Sequence, residues 1–130
     1  MSDKGLFNED MIIDCENNAR DGYDVMLRFL KSGKPKPEVI FVSSDAAAPG
    51  IVKALHEYGI SVPEEMGLIT FNKTSLSEFS NPPLTSVELF MSEYAKMAAQ
   101  SMFFGWNSGG ELLAKKMVIP CKLIDRGSVC

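Results

Sequence analysis

The segment of residues 39–71 constrains the fold of this chain more than any other. It opens with the apolar run of residues 39–42 and closes with a second apolar run that ends at Phe71, and both are typical of buried strands. Asp45 is predicted to cap the helix between them, and Gly59 to end it through a positive φ. Apolar residues recur there at spacings of 3 and 4, as on one helix face: Ala48, Ile51, Leu55 and Tyr58. The segment therefore predicts a βαβ unit with parallel strands.

Helices and strands alternate on both sides of that unit. Residues 11–13 predict a short strand, and residues 17–18 (Asn-Asn) offer an N-cap for a helix that runs to Gly33. Downstream, the sequence predicts a strand, a long helix and two final strands, at residues 84–87, 91–107, 116–119 and 122–125. This order predicts an α/β fold of three αβα layers with a mainly parallel sheet.

Composition narrows the class of protein. The 130 residues, 45% hydrophobic and 23% charged, are typical of one soluble domain that covers residues 1–130. The net charge of −4 argues against a DNA-contacting surface, because Lys and Arg bind phosphates. Cys15, Cys121 and Cys130 lack metal-ligand spacing and are predicted to be reduced thiols of a cytoplasmic protein. No apolar run predicts a signal peptide or a membrane span.

The sequence predicts a protein that is not an enzyme and holds no metal or cofactor. His56 is the one histidine, and no carboxylate or nucleophile is placed beside it, so a surface position is expected. Cys15 follows a predicted strand, as a nucleophile could, but it lacks a histidine partner and is predicted to be a packed thiol. Neither a GxGxxG nor a Walker-type phosphate loop occurs in the sequence.

Small polar residues follow three predicted strands. Asn17, Ser44 and Asn72 come after residues 11–13, residues 39–42 and Phe71, respectively. Ligands of open parallel sheets bind outside the carboxyl ends of the strands, so one interpretation is a crevice for a polar ligand. The other interpretation is that loops and N-caps favour these residue types in any protein.

The predicted helix of residues 91–107 is apolar on more than one side. Its methionines and aromatic residues are Met91, Met97, Met102, Phe103, Phe104 and Trp106. A helix that is apolar nearly all round requires burial on more than one face. These side chains form either ordinary core or a contact surface for something absent from this chain.

Several ordered motifs together resemble one known family. Ser-Asp at residues 44–45 precedes Gly59, Val-Pro-Glu at 62–64 and Ile-Thr-Phe-Asn at 69–72, and then come Pro-Pro-Leu-Thr-Ser-Val at 82–87 and Arg-Gly-Ser at 126–128. With the Gly-Tyr pair at 22–23, this pattern resembles the effector-binding domain of LacI/GalR-type bacterial transcription regulators. The resemblance covers about residues 10–128. It implies a periplasmic-binding-protein-like type I fold, with this chain as a C-terminal subdomain fragment.

The resemblance also implies a binding site. Five positions of this sequence match the positions at which family members contact their effector: Asn17, Ser44, Asn72, Leu89 and Met91. The residue type at each of the five differs from the one most common in the family. The effector would be a small molecule, sugar-like or nucleoside-like, held between two lobes.

Partners follow from the same resemblance. DNA would be bound only through a headpiece absent from this chain, and two copies would pair through residues 46–58 and 73–81. Residues 90–118 would pack on a missing N-terminal subdomain; in this fragment they would self-associate or fold onto the sheet.

Two other functions stay open, and so does a third possibility, a degenerate and purely structural relative of the family. A solute-binding protein of a sugar transporter is the first, and an export signal upstream would favour it. A small α/β enzyme is the second, and it would require a reactive cluster around Cys15 or His56.

Overall fold

The structure, a computed structural model, describes residues 9–107 and 116–130. After a single 3-10 turn at Glu9–Met11, strands and helices alternate along the chain. They are α1 (Ala19–Lys31), β1 (Val39–Val42), α2 (Ala48–Glu57), β2 (Gly67–Phe71), α3 (Ser75–Glu78), β3 (Thr85–Glu88), α4 (Met91–Asn107) and β4 (Lys122–Ile124). The predicted α/β class is confirmed.

The sheet has four strands in the order β1-β2-β3-β4. The pairs β1–β2 and β2–β3 are parallel, and β4 runs antiparallel to β3. The predicted βαβ unit and the mainly parallel sheet are therefore confirmed. Because β1, β2 and β3 are parallel, the loops that follow them leave the sheet at the same edge.

Helices α1 and α2 pack closely against each other and cover one face of the sheet. The side chain of Asn18 accepts a hydrogen bond from the N–H of Asp21 at 2.9 Å, which confirms the predicted N-cap of α1. A Cβ on Gly22 would overlap the carbonyl oxygen of Ala47, and one on Gly50 would overlap that of Ala19. The two glycines thus let the helix backbones approach each other.

The core lies between these helices and the sheet. Its largest apolar side chains are completely buried: Leu55, Met66, Leu68 and Leu84. Leu55 extends from the predicted face of α2, whereas Tyr58 at the end of that face is 44% exposed. Gly59 has a φ of +68° just after α2, as predicted for the residue that ends the helix.

A buried serine ties the C-terminal segment to the sheet. The hydroxyl of Ser128 donates to the carbonyl of Leu68 at 2.5 Å and accepts from the N–H of Thr85 at 2.8 Å. Ser128 is completely buried, so these bonds satisfy backbone groups of two neighbouring strands.

Two predicted strands are wrong. Residues 11–13 contain the end of the 3-10 turn and an irregular segment, and residues 116–119 are irregular as well. An apolar run forms a strand only where a neighbouring strand takes up its backbone hydrogen bonds, and neither segment pairs with one here. The final strand is confirmed, as Lys122–Ile124.

Helix α4 extends away from the core. The side chains of Tyr94, Met91, Phe103 and Met102 are 43% to 77% exposed. The predicted alternative in which this helix folds onto the sheet is therefore not the arrangement found. The helix ends at Asn107, and the predicted stop at residues 108–110 and the side chains of Phe104 and Trp106 lie outside the described residues.

Candidate functional site

Three of the predicted site residues lie at the carboxyl edge of the sheet. Ser44 follows β1, Asn72 follows β2 and Leu89 follows β3, and the parallel arrangement brings these positions to the same edge. All three residues are half-buried, so each keeps part of its surface accessible. This edge is where open parallel sheets bind ligands.

A buried carboxylate joins the first two loops of this edge. Asp45 is only 4% exposed, and its Oδ2 accepts hydrogen bonds from the N–H of Thr74 at 3.0 Å and from its hydroxyl at 2.5 Å. The N–H of Asp45 in turn donates to the carbonyl of Phe71 at 3.2 Å. The loop after β1 is thereby fixed against the loop after β2.

This geometry corrects the prediction for Asp45. The N-cap of α2 is Ala47, and no side chain makes a capping hydrogen bond there. The carboxylate binds Thr74 instead, 29 positions along the chain. Thr74 also caps the short helix α3 by accepting from the N–H of Leu76 at 3.1 Å.

An ion pair joins the loop after β2 to the end of β3. The Nζ of Lys73 lies 3.2 Å from Oε1 of Glu88, and these side chains are 34% and 26% exposed. Asn72, just before Lys73, has a left-handed φ of 73°, which asparagine tolerates better than most residues. Sequence reasoning missed Lys73, Thr74 and Glu88. Since β2 and β3 are neighbours, the opposite charges at their ends were the one signal for the ion pair.

Asn17 occupies a different environment from Ser44 and Asn72. It lines a cavity of about 600 Å³ beside β1, together with Cys15 and Ser43. Ser44 and Asn72 are not among the residues that line this cavity. Ser43 lines the cavity and directly precedes Ser44. The cavity therefore reaches the carboxyl edge at Ser43.

The predicted apolar contacts, Leu89 and Met91, flank a turn in the backbone. Phe90 lies between them with a left-handed φ of 51°, and α4 begins directly after it. Met91 is 66% exposed at the first position of the helix. The turn thus directs the chain from the carboxyl edge into the exposed helix.

Cys15 and His56 are both surface residues. His56 is exposed in the last turn of α2, as predicted, but the prediction of a packed thiol is wrong, since Cys15 is exposed and its Sγ donates to the carbonyl of Glu16 at 3.1 Å. Partial burial, a hydrogen bond with the Asp21 side chain and the negative charges of Asp21 and Glu16 raise the pKa of the Cys15 thiol above its ordinary value. A raised pKa reduces the thiolate fraction and is the opposite of an activated nucleophile.

Two kinds of feature are absent from residues 9–107 and 116–130. Within these ranges, His, Cys, Asp and Glu side chains do not gather in groups of 3 or more that could hold a metal ion. In the same ranges, no helix combines the length and the apolar character that crossing a membrane requires.

Comparison with known proteins identifies the family whose members this chain resembles. The family described as "periplasmic binding protein-like domain" matches residues 1–129. The HTH-type transcriptional regulator GalR of Streptococcus thermophilus is 31% identical over 121 residues, which cover 93% of this chain and 33% of GalR. The HTH-type transcriptional repressor MelR of Bacillus subtilis is 33% identical over 113 residues, which cover 87% of this chain and 32% of MelR. These relatives are transcription regulators rather than enzymes.

The solved structures agree with this assignment. A sugar-binding transcriptional regulator of the LacI family from Escherichia coli, crystallised with phosphate, superposes with a TM-score of 0.78 at 27% identity. The superposition covers 98% of this chain and 45% of that protein. The chain spans about a third of the length of the curated relatives named above, GalR and MelR.

Proposed function

This chain belongs to the periplasmic binding protein-like domain family, in the form found in LacI/GalR-type transcription regulators, and on that premise we propose that it senses a small polar effector at the carboxyl edge of its sheet. The effector class that fits best is a sugar or a nucleoside. The observation that carries the proposal is the buried Asp45–Thr74 contact. It fixes two loops at the edge where parallel sheets bind their ligands.

The chemistry of the edge suits a ligand with many hydroxyl groups. The hydroxyl of Ser44 and the amide of Asn72 each offer both donors and acceptors, which matches the dual character of a sugar hydroxyl. Leu89 and Met91 supply apolar surface beside them, and Asn17 is a further polar contact from the neighbouring cavity. A few polar groups on an apolar wall is the usual composition of small-molecule sites.

The proposed mechanism is a population shift between two arrangements of lobes. A ligand bound between this subdomain and a second lobe favours whichever arrangement it binds more tightly. In a regulator-length protein, that shift would change DNA binding by a separate headpiece. Residues 90–118 would pack against the second lobe. Helix α4 lies within them and exposes Met91, Met102 and Phe103 for that contact.

We also propose a homodimer through residues 46–58 and 73–81. Three large apolar side chains in these segments are exposed: Tyr58 at 44%, Leu76 at 45% and Phe79 at 82%. Helices α2 and α3, in or directly after which these side chains lie, are in contact with each other, and exposed large apolar side chains are candidates for a protein contact. Phe79→Glu should shift sedimentation of the chain towards the monomer, whereas the control Met11→Glu, an exposed position outside both segments and outside residues 90–118, should leave a dimer intact. An unchanged profile for Phe79→Glu would remove this interface.

A cytoplasmic location is part of the same proposal. A regulator that changes DNA binding in response to an effector must share a compartment with its DNA. The exposed free thiols of Cys15, Cys121 and Cys130 are compatible with a reducing environment.

Thermal unfolding with a ligand panel tests the effector proposal. Monosaccharides, disaccharides and nucleosides are added to the chain, and a true effector raises the Tm because it binds the folded state. At 100 times the Kd the gain is about 2.7 kcal/mol, which corresponds to a shift of several degrees. Asn72→Ala should abolish most of the shift. The control Ser61→Ala, an exposed position at the opposite edge of the sheet, should retain it. A panel without any shift contradicts the proposal.

A further inference from the structure

An ion pair adjoins two of the predicted effector contacts at the carboxyl edge. Lys73 directly follows Asn72, and Glu88 directly precedes Leu89. The Nζ of Lys73 donates a hydrogen bond to Oε1 of Glu88 at 3.2 Å. We call these two side chains the edge pair. A ligand that contacts Asn72 and Leu89 therefore comes within reach of both charges.

The register of the sheet explains why the two charges meet. Phe71 at the end of β2 pairs with Val87 of β3, so the next positions along the two strands are Asn72 and Glu88. The chain turns at Asn72, where φ is 73°, and Lys73 then lies in the loop beside the end of β3. Neighbouring parallel strands thus deliver the ammonium and the carboxylate to the same end of the sheet.

The edge pair is less exposed than the other ion pairs formed by residues 9–107 and 116–130. Its side chains are 34% and 26% exposed, whereas every side chain of the other pairs is at least 44% exposed. Partial removal from water strengthens the hydrogen bonds that a charged group makes. The exposure that remains leaves both groups accessible to a ligand.

Both members of the edge pair keep hydrogen-bonding capacity. An ammonium has three donors, and a carboxylate has two acceptor oxygens. Within the described residues, the pair uses one donor and Oε1 for its mutual bond, and the remaining donors of Lys73 and Oε2 of Glu88 bond to no protein group. A donor and an acceptor are therefore available side by side.

Two neighbouring hydroxyl groups of a sugar complement this arrangement. One hydroxyl can donate to the carboxylate while the next accepts from the ammonium, because every hydroxyl is both donor and acceptor. Hydrogen bonds to charged groups are about twice as strong as those between neutral groups. The contacting charges cancel, so the pair suits an uncharged polyol better than an anion, which the carboxylate of Glu88 would repel.

We propose that the edge pair binds two neighbouring hydroxyl groups of the effector, with Glu88 as the acceptor and Lys73 as the donor. This inference rests on the proposed function, because it adds two residues to the same site. It narrows the effector class to sugars and nucleosides that carry a free vicinal diol. The alternative is that the pair only holds the end of β3 against the loop after β2, and then its loss would weaken every ligand alike.

Removal of single hydroxyl groups from a ligand tests the diol assignment. The probes are glucose, galactose, ribose, maltose, sucrose and adenosine, and the one that binds the full chain most tightly in calorimetry is compared with each of its monodeoxy analogues. Two analogues that lack neighbouring hydroxyls should each bind about tenfold more weakly, as expected when a hydrogen bond to a charged group is lost. A probe that loses either member of every neighbouring pair without such a penalty overturns the proposal.

Matched variants separate direct contact from loop positioning. Lys73→Met and Glu88→Met each remove one polar group, and each should reduce one of the two penalties to about twofold or less, because the partner of that hydroxyl is gone. Lys36→Met and Glu65→Met disrupt the ion pair at the opposite edge and should keep both penalties. Circular dichroism and urea unfolding establish that every variant is folded. If both penalties persist in Lys73→Met and Glu88→Met, the pair only positions the loops and the proposal is overturned.

Two other results are equally decisive. A phosphate ester of the tightest probe should bind no more tightly than the probe itself, and a gain of about tenfold would assign Lys73 to an anion and overturn the diol assignment. If none of the probes binds, this inference and the proposed function fail together. If a probe binds but its penalties are the same in the parent, Lys73→Met and Glu88→Met, only this inference fails.

Discussion

Replacing Asp45 by serine gives the sharpest test of how the carboxyl edge is built. A serine side chain is too short to reach Thr74, so both hydrogen bonds to Oδ2 are lost. Hydrogen bonds to a charged acceptor contribute about 1.5–3 kcal/mol each. Because Thr74 is exposed and regains water in the variant, we expect a loss of about 2–4 kcal/mol in the free energy of unfolding, below the simple sum.

The same substitution discriminates between the two interpretations of Asp45. Serine is as good an N-cap as aspartate. If Asp45 capped α2, as the sequence alone predicts, Asp45→Ser would change stability by only a few tenths of a kcal/mol. The structure predicts the much larger loss, since the partner is a residue of another loop.

Urea unfolding followed by circular dichroism measures the effect. A double-mutant cycle with Thr74→Val isolates the hydrogen bond from the Thr74 hydroxyl, since valine keeps the backbone N–H, and its coupling energy should be at least about 1 kcal/mol. Thr74→Ser, which keeps both donors, is the matched control and should stay near the parent. A loss below about 0.5 kcal/mol for Asp45→Ser, or an additive cycle, would refute the reasoning.

Three further predictions follow from other contacts. Gly50→Ala should destabilise the chain by about 2 kcal/mol or more in urea unfolding, although alanine is the better helix former, because its Cβ would overlap the carbonyl of Ala19. The raised pKa of Cys15 should place the pH midpoint of its alkylation above that of an ordinary cysteine, and Asp21→Asn should move that midpoint down; a midpoint unchanged by Asp21→Asn would contradict the assigned cause. Hydrogen bonds, the largest from the Gly127 N–H, hold the pKa of Asp125 below 3.8, so its contribution to stability is present above that pH and is lost as the pH falls through the lowered pKa. Acid unfolding of Asp125→Asn should therefore show a weaker pH dependence below pH 3.8 than the parent.

The sequence predicted the elements whose signals are local and repeated. The cap at Asn18, the periodic apolar face of α2 and the stop at Gly59 each act within a few residues, and all three are found. The parallel order of β1, β2 and β3 followed from the connections between them. The placement of Ser44 and Asn72 at one edge is a consequence of that order.

The predictions failed where the deciding partner is distant in sequence. Asp45 has the local signature of a cap, but its carboxylate binds Thr74, and no local pattern reports a contact across 29 positions. Residues 11–13 are apolar enough for a strand, but no strand of the described residues pairs with them, and Met11 and Ile13 line the cavity beside β1 instead. The prediction that Cys15 is packed failed for the same reason, since Cys15 is exposed to solvent in the structure.

Mapping a bound effector by NMR tests the central claim most directly. The sugar or nucleoside that raises the Tm most is titrated into isotopically labelled chain, and amide shifts are followed residue by residue. The account predicts that Ser44, Asn72 and Leu89 at the carboxyl edge shift together with a single Kd, while Ser61 and Glu65 at the opposite edge stay unchanged. Shifts confined to residues away from the carboxyl edge would contradict it.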